Sequence, residues 1–256
     1  MSASASTGRL LLVPNTLDHG HDPVPIRQVL ADGVLREAAA LQHWVAEDAR
    51  SARAFLKRVD AEVTLCAPLQ SIQVLEMPRP RKGSRGTEAP PDWGGLLAPA
   101  LAGHDIGLLS EAGLPAVADP GAALVAAAHA AGLVVQPLAG PSALLMALAA
   151  SGLNGQSFAF VGYLPQEPEP RARRLRELEA LSRQLRQTQL FIETPYRNVA
   201  LLGAALSELH AGTRLSISCG LTLPDAWTRS ATVAQWRAAP AALPGRVPAV
   251  FALLAD

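Results

Sequence analysis

Residues 108–121 read LLSEAGLPAVADPG, and this stretch decides the fold class. An apolar run closes on Ser110 and Glu111. Gly113, Pro115, Pro120 and Gly121 then punctuate a turn, and an alanine-rich helical stretch begins. A short apolar run bounded by turn residues and followed by a helix reads as a buried strand with its crossover. In open α/β sheets, ligands sit beyond the carboxyl ends of such strands. Glycine there lets a ligand approach the backbone closely, and proline stiffens the loop. Read alone, the segment is equally an ordinary strand-to-helix connection.

The same alternation extends outward in both directions. Strands are predicted at 10–13, 43–46, 71–75, 106–110 and 133–138. Helices fall at 26–40, 51–59 and 121–131, with Ser51 the expected cap of the second. Such β-α alternation predicts a mostly parallel sheet with helices on both faces. After Gly140-Pro141 the rhythm changes. A helix over 142–150, capped by Ser142, precedes strands at 158–164, 190–193, 215–219 and 247–254, with helices at 171–186 and 198–210. Late strands with fewer helices between them predict a mixed sheet. The expectation is therefore an α/β chain of two domains, 1–139 and 140–256. Residues 77–93, MPRPRKGSRGTEAPPDW, are too polar and too broken for a core element and are predicted to be a long loop. Its basic side chains between Arg79 and Arg85 either meet phosphates or simply face solvent.

Bulk properties narrow the function classes. The chain has 256 residues, 49% of them hydrophobic, which excludes disorder of the whole chain. Its 22 basic and 22 acidic side chains cancel, so any nucleic-acid partner must be met by a local patch rather than by overall charge. Cys66 and Cys219 form no CxxC pair and have no histidine set nearby, so neither a disulfide framework nor a metal site is expected. The amino-terminal MSASASTG lacks the layout of a signal peptide, and no apolar run has the length of a bilayer span. A cytoplasmic protein without membrane association is expected. Neither GxGxxG after a strand nor GxxxxGK[ST] occurs, which removes the best support for Rossmann and P-loop nucleotide sites. HExxH and GxSxG are absent as well.

Two further loops repeat the logic of the first. Residues 134–143, VVQPLAGPSA, run from a strand through Gly140-Pro141 to a helix start, where exposed amides favour anions. Residues 191–197, FIETPYR, place Glu193 at a strand end before Thr194-Pro195. Three such loops suit an elongated ligand.

The strings SEAGLPAVADPG, PLAGPSALLMALAASGL, FVGYLP and FIETPYRN, in that order, resemble the tetrapyrrole-methylase superfamily. Within it they look most like the ribosomal small-subunit RNA 2′-O-ribose methyltransferases. VAEDAR at 45–50 is similar to that family's AEDTR motif. The resemblance implies two α/β domains with S-adenosyl-L-methionine in the cleft between them. It implies cofactor contacts from Pro14, from Ser110, Glu111, Ala112, Gly113, Leu114 and Pro115, and from Ser142, Ala143 and Leu144. Glu193, Thr194, Leu221 and Thr222 complete the set. It further implies a homodimer, and ribosomal RNA or the small ribosomal subunit as partner. Methyl transfer to a ribose hydroxyl needs a proton acceptor, for which Glu47, Asp48 and Glu111 are the candidates. Each is equally a helix-capping or surface acid.

The chain also departs from the family's pattern. After the first strand, PTPIGNLxDIT stands here as PNTLDHGHDPVPI at 14–26, so Asn15, Leu17 and His19 alter the ligand-facing turn. The histidine- and acid-rich segment after the third strand is replaced by MPRPRKGSRG. R-E-L-T-K near the last strands is here Cys219-Gly220-Leu221-Thr222-Leu223. The cofactor loops keep the family's residues while the substrate side has drifted. Methylation of ribosomal RNA is the leading expectation, its support being the motif order and the arginines of 171–186 and 79–85. Methylation of a small, tetrapyrrole-like molecule and cofactor binding without turnover are the alternatives.

Overall fold

The computed structural model describes residues 6–18, 24–78 and 92–256. His19 and the basic stretch 79–85 lie outside the described residues. Two compact units follow one another along the chain, Met1–Pro141 and Ser142–Asp256.

The first unit carries five strands: β1 (Arg9–Val13), β2 (His43–Ala46), β3 (Gln73–Glu76), β4 (Ile106–Leu109) and β5 (Val134–Pro137). They pair in the order β3-β2-β4-β1-β5, and every pair is parallel. Helices α1 (Asp32–Ala40), α2 (Ala49–Asp60), α3 (Trp93–Leu101) and α4 (Ala122–Ala130) supply the crossovers. Successive strand residues feed opposite apolar layers. Leu11, Val13, Trp44 and Leu109 join one, and Leu10, Val45, Ile106 and Leu108 join the other. Burial on both faces explains why β4 reads as an unbroken apolar run.

The second unit carries α5 (Ala143–Ser151), β6 (Phe158–Tyr163), α6 (Pro168–Leu185), β7 (Thr188–Glu193), α7 (Asn198–Glu208), β8 (Arg214–Cys219), β9 (Trp227–Thr232), α8 (Val233–Ala238) and β10 (Ala249–Leu254). The order is β6-β7-β10-β8-β9, with β6 parallel to β7 and the other pairs antiparallel. Helix α5 covers one face through Leu144 and Leu148. Helices α6, α7 and α8 cover the other through Leu175, Leu201 and Trp236. The expected parallel sheet and mixed sheet are both present.

Several local expectations are corrected. The helix predicted over 26–40 is interrupted. A 3-10 turn spans Ile26–Gln28, and Ala31 adopts an extended conformation before α1 starts. Helix α2 begins two residues earlier than expected, because Asp48 and not Ser51 is its cap: Asp48 Oδ1 accepts from the amides of Arg50 and Ser51. Ser142 occupies the cap position of α5 but makes no side-chain cap bond. The predicted loop over 77–93 is shorter at both described ends. Met77 is buried with its amide on Ala46 O, and Trp93 opens α3 behind the Asp92 cap. Strand β9 and helix α8 escape prediction, although the Thr232/Gln235 capping box that starts α8 is a readable signal.

The arginines of 171–186, expected to meet phosphates, are in part committed within the unit. Arg174 pairs with Glu177 at 3.2 Å, Arg176 pairs with Glu208, and Arg183 donates to Asp256 O at 2.9 Å. Among the described residues, no helix is long and apolar enough to cross a membrane, and no group of three His, Cys, Asp or Glu suits a metal ion.

Candidate functional site

Because all five strands of the first sheet are parallel, their carboxyl ends share one edge. The chain leaves β1 toward β2 on one side and leaves β4 toward β5 on the other, yet β1 and β4 are neighbours. That reversal is the topological switch point where open α/β sheets place their ligands.

The segment after β1 is bound tightly into this edge. Asn15 Nδ2 donates to Ser110 O at 3.0 Å and to Glu111 O at 3.1 Å, while its Oδ1 accepts from the Thr16 amide at 2.8 Å. The Asn15 amide donates to Gly113 O at 2.9 Å. Arg58 on α2 adds a second anchor, with Nη2 donating to Asp18 Oδ2 at 3.0 Å and Nη1 to Thr16 Oγ1 at 3.0 Å. Asn15, Thr16, Leu17 and Asp18 are all buried. The residues that depart from the family pattern here have thus become framework. Leu17 packs under Gly113, and Asn15 ties the first loop to the fourth.

The loop after β4 stores backbone strain. Gly113 has φ +69°, and a Cβ on it would stand 3.2 Å from Pro141 O and 3.1 Å from Leu17 Cδ2. Ala116 and Ala118 also have positive φ, 64° and 63°. Non-glycine residues in this region cost about 1 kcal/mol or more each and collect where function over-determines the backbone. Gly140 meets Pro14 so closely that a Cβ would fall 2.2 Å from Pro14 Cβ. This holds the first and fifth loops together.

Carboxylates gather on the same edge. Asp119, half-buried between Ala118 and Pro120, has its pKa pushed up to about 7. Burial is the main cause, and the negative charges of Glu47 and Glu111 add to it. Glu111 is exposed and accepts from Ser51 Oγ at 2.6 Å. Asp48, half-buried, spends Oδ1 on the cap of α2. Of the three acids that the sequence brings forward, Glu47 and Glu111 act electrostatically on Asp119, whereas Asp48 has a structural duty. Asp119 is missing from that sequence-derived set. It lies inside the quoted motif, but its burial appears only in the folded chain.

The remaining first-unit residues of the expected set divide by burial. Pro14 and Pro115 are buried, and Ser110 is closed on itself, its Oγ lying 3.2 Å from Ala112 O and 3.3 Å from Gly113 O. Ala112 and Leu114 are half-buried.

In the second unit, β6, β7 and β8 end on one edge, since β7 and β8 both run against β10. Glu193 lies there with its side chain fully buried. Its Oε1 accepts from the Thr194 amide at 2.7 Å and from Arg197 at 2.8 and 3.0 Å. Its Oε2 has no partner among the described residues. Thr222 is held at φ +72°, and its buried Oγ1 is likewise without a partner among them. Strain and an orphaned hydroxyl together suit a ligand rich in hydroxyl and amine groups, as a nucleoside is. Leu144 turns into the core beside Leu148 and Val250, and Leu221 packs at its margin. Ser142 is buried and Ala143 half-buried at the start of α5. Burial pushes the Cys219 thiol up, which leaves it an inert packing group where the family has a charged side chain.

Comparison with known proteins places this architecture. A protein named Ribosomal RNA small subunit methyltransferase I from Mesorhizobium japonicum is 40% identical over 127 residues, covering 50% of this chain and 42% of its own. Its namesake from Vibrio cholerae is 43% identical over 102 residues, 40% of this chain and 34% of its own. A third from Mycobacterium bovis is 32% identical over 219 residues, 84% of this chain and 66% of its own. The chain thus spans well under two thirds of the first two relatives. Among solved structures, the methyltransferase CobJ aligns with a TM-score of 0.57 at 18% identity, over 98% of this chain and 95% of its own. Uroporphyrin III C-methyl transferase from Thermus thermophilus aligns at 0.53 and 17% identity, over 96% and 97%. These structural likenesses establish the fold. With residues 31–236 matching the family model, the chain belongs to the Tetrapyrrole (Corrin/Porphyrin) Methylases, whose members use S-adenosylmethionine as methyl donor.

Proposed function

We propose that this protein is an S-adenosylmethionine-dependent methyltransferase of small-subunit ribosomal RNA, acting on a ribose 2′-hydroxyl. The relatives' names support the RNA substrate. The observation that carries the chemistry is Asp119, a half-buried carboxyl poised near pH 7 between Glu47 and Glu111. An effective general base has a pKa close to the working pH, and a hydroxyl nucleophile must shed its proton as the new bond forms.

The residues at the two sheet edges fit the methyl donor. Gly113, at φ +69°, and Gly140, packed on Pro14, fix the loop backbone at the edge of the first sheet. In the second, Glu193 Oε2 and Thr222 Oγ1 await donors or acceptors. We assign cofactor contacts to Pro14, Ser110 to Pro115, Ser142, Ala143, Glu193, Thr194, Leu221 and Thr222. Leu144 serves them from the core. When bound, the donor supplies a methyl group activated by a sulfonium centre. Asp119 takes the hydroxyl proton. Glu47 and Glu111 keep its proton affinity high enough for the transfer. Ser51 fixes Glu111, and the remaining work is positioning. We further propose a cytoplasmic homodimer whose two units serve as the domains 1–139 and 140–256.

Transfer of labelled methyl from S-adenosylmethionine to purified small ribosomal subunits tests the assignment. Incorporation into RNA, lost with Asp119→Asn, supports it. Saturable cofactor binding with no transfer to subunits or to naked RNA refutes it. The small-molecule alternative has only a fold-level likeness behind it.

A further inference from the structure

Charges buried in a protein are ordinarily paired, because moving an ion out of water costs several kcal/mol even after relaxation. Arg171 breaks this rule. It lies on the first turn of α6 and shares its inward face with Leu175 and Leu178, and only 9% of the residue is exposed. Among the described residues its Nε has no partner, and its one side-chain bond is a long one, from Nη1 to Gln166 O at 3.5 Å.

Of the other arginines of this region, Arg173 and Arg186 face solvent and the rest are answered. Arg174, Arg176 and Arg183 have partners on the surface, and Arg197 is held by Glu193. The two carboxylates nearest in sequence, Glu167 and Glu169, are exposed. Solvent screens them, so they do not neutralise a group on the inward face. Helix α6 starts directly after the carboxyl end of β6, on the edge that also carries Glu193 and Thr222. The amino end of an 18-residue helix adds its positive dipole at the same place.

We propose that Arg171 is a phosphate-reading residue, whose guanidinium receives a phosphodiester oxygen of the acceptor RNA at the carboxyl edge of the second sheet. This rests on the RNA reading above and names the group that would hold the acceptor's backbone. A planar guanidinium presents parallel N–H donors that match two phosphate oxygens. Such a contact fixes register without reading sequence. A chain of zero net charge needs such a local anchor.

The test has two arms, run on wild type, Arg171→Gln, Arg171→Lys and the control Arg183→Gln. The first measures binding of a small-subunit RNA fragment across a salt series. Arg171→Gln is expected to bind about tenfold more weakly and to lower the slope of log K against log salt by about one. Arg171→Lys should keep most of the slope but lose affinity, and Arg183→Gln should match wild type. The second arm follows thermal unfolding with inorganic phosphate as the probe. Phosphate should stabilise wild type saturably and leave Arg171→Gln unmoved. Equal RNA affinity and equal phosphate response in wild type and both Arg171 variants would overturn the proposal. Should Arg171→Gln fail to fold, the Lys variant decides by its affinity: a weaker RNA complex supports the proposal, and wild-type RNA affinity in the folded Lys variant overturns it, since a merely structural arginine leaves RNA binding intact. Phosphate binding through Arg171 in a protein that ignores RNA would overturn the RNA source and the functional reading together, while the anion site itself stands. Stabilisation of wild type by S-adenosylmethionine but not by phosphate, with that stabilisation lost in Arg171→Gln, would overturn the phosphate assignment in favour of the cofactor's carboxylate.

Discussion

Ser51 and Glu111, sixty residues apart in sequence, meet through a 2.6 Å hydrogen bond from the serine hydroxyl to Oε1. The same serine's amide binds Asp48 Oδ1 at 2.9 Å, so the first turn of α2 is tied at once to its own cap and to the loop after β4. That loop carries Asp119, so the position of one charge that acts on Asp119 depends on a residue in another element.

Ser51→Ala should therefore disturb catalysis more than its location on a helix suggests. We expect about 1 kcal/mol of lost stability and a fall in kcat of about three- to tenfold. Ser51→Thr, which keeps the hydroxyl, should recover most of the rate. Urea unfolding together with single-turnover methyl transfer reads both quantities; equal rates in Ala and wild type would remove Glu111 from the site.

The pH dependence has a definite sign. Asp119 titrates near 7 in the folded protein, against 3.8 for an ordinary aspartate carboxyl. As proton acceptor it must be ionised, so kcat should rise as pH increases through about 7, and Asp119→Asn should lower kcat by about 10²- to 10⁴-fold. Stability runs the other way. A carboxyl with a raised folded pKa contributes stability below its unfolded value and loses it as pH rises through the folded one. Asp119→Asn should therefore be more stable than wild type at pH 8, by on the order of 1 kcal/mol once solvent screening is allowed for. Below the unfolded value that gain should vanish. Melting curves at the two extremes check this, and a gain that persists at low pH would contradict it.

Asn15 offers a test of the framework. Asn15→Ala strands a buried Thr16 amide and leaves the Ser110 and Glu111 carbonyls short of a donor. The expected cost is about 2–3 kcal/mol, seen as a lower urea midpoint with unchanged slope. Cofactor affinity should fall as well, because the loop with Gly113 is no longer pinned to the first strand. Calorimetric titration with S-adenosylmethionine measures that loss; full affinity would show that the loop holds itself.

Two glycine-to-alanine changes should have opposite outcomes. In Gly140→Ala the new methyl falls 2.2 Å from Pro14 Cβ, and the resulting overpacking should cost about 1–3 kcal/mol and weaken cofactor binding. Gly33, inside α1, faces open space: a Cβ added there would meet nothing within 4 Å. Gly33→Ala should stabilise by about 0.5–1 kcal/mol through helix propensity, without effect on the cofactor. Similar shifts in both variants would contradict the contact at Pro14.

Much of the scaffold is written locally and was legible from the chain alone. Short apolar runs mark β1 and β4, because a strand buried on both faces leaves little room for polar side chains. The change from regular β-α alternation to late clustered strands separates the parallel sheet from the mixed one. Ordered motifs also carry the family, since cofactor loops at strand ends are short and contiguous. Helix α3 was not legible, as Gly94, Gly95 and Pro99 weaken its pattern, and β9 has no strongly apolar face.

The site was legible only in outline. Sequence pointed to loops containing Gly113, Gly140, Glu193 and Thr222, and to acids at strand ends. Tertiary structure alone assigned their duties. It made Asp48 a helix cap, bound Asn15 to a loop ninety-five residues away, and buried Arg171 with its Nε unpartnered among the described residues. It also raised the proton affinity of Asp119 through burial and through Glu47 and Glu111. The physical reason is range. Periodicity and turn chemistry act over a few residues, whereas desolvation and charge–charge interaction depend on distance in space, which the chain sets only when it folds.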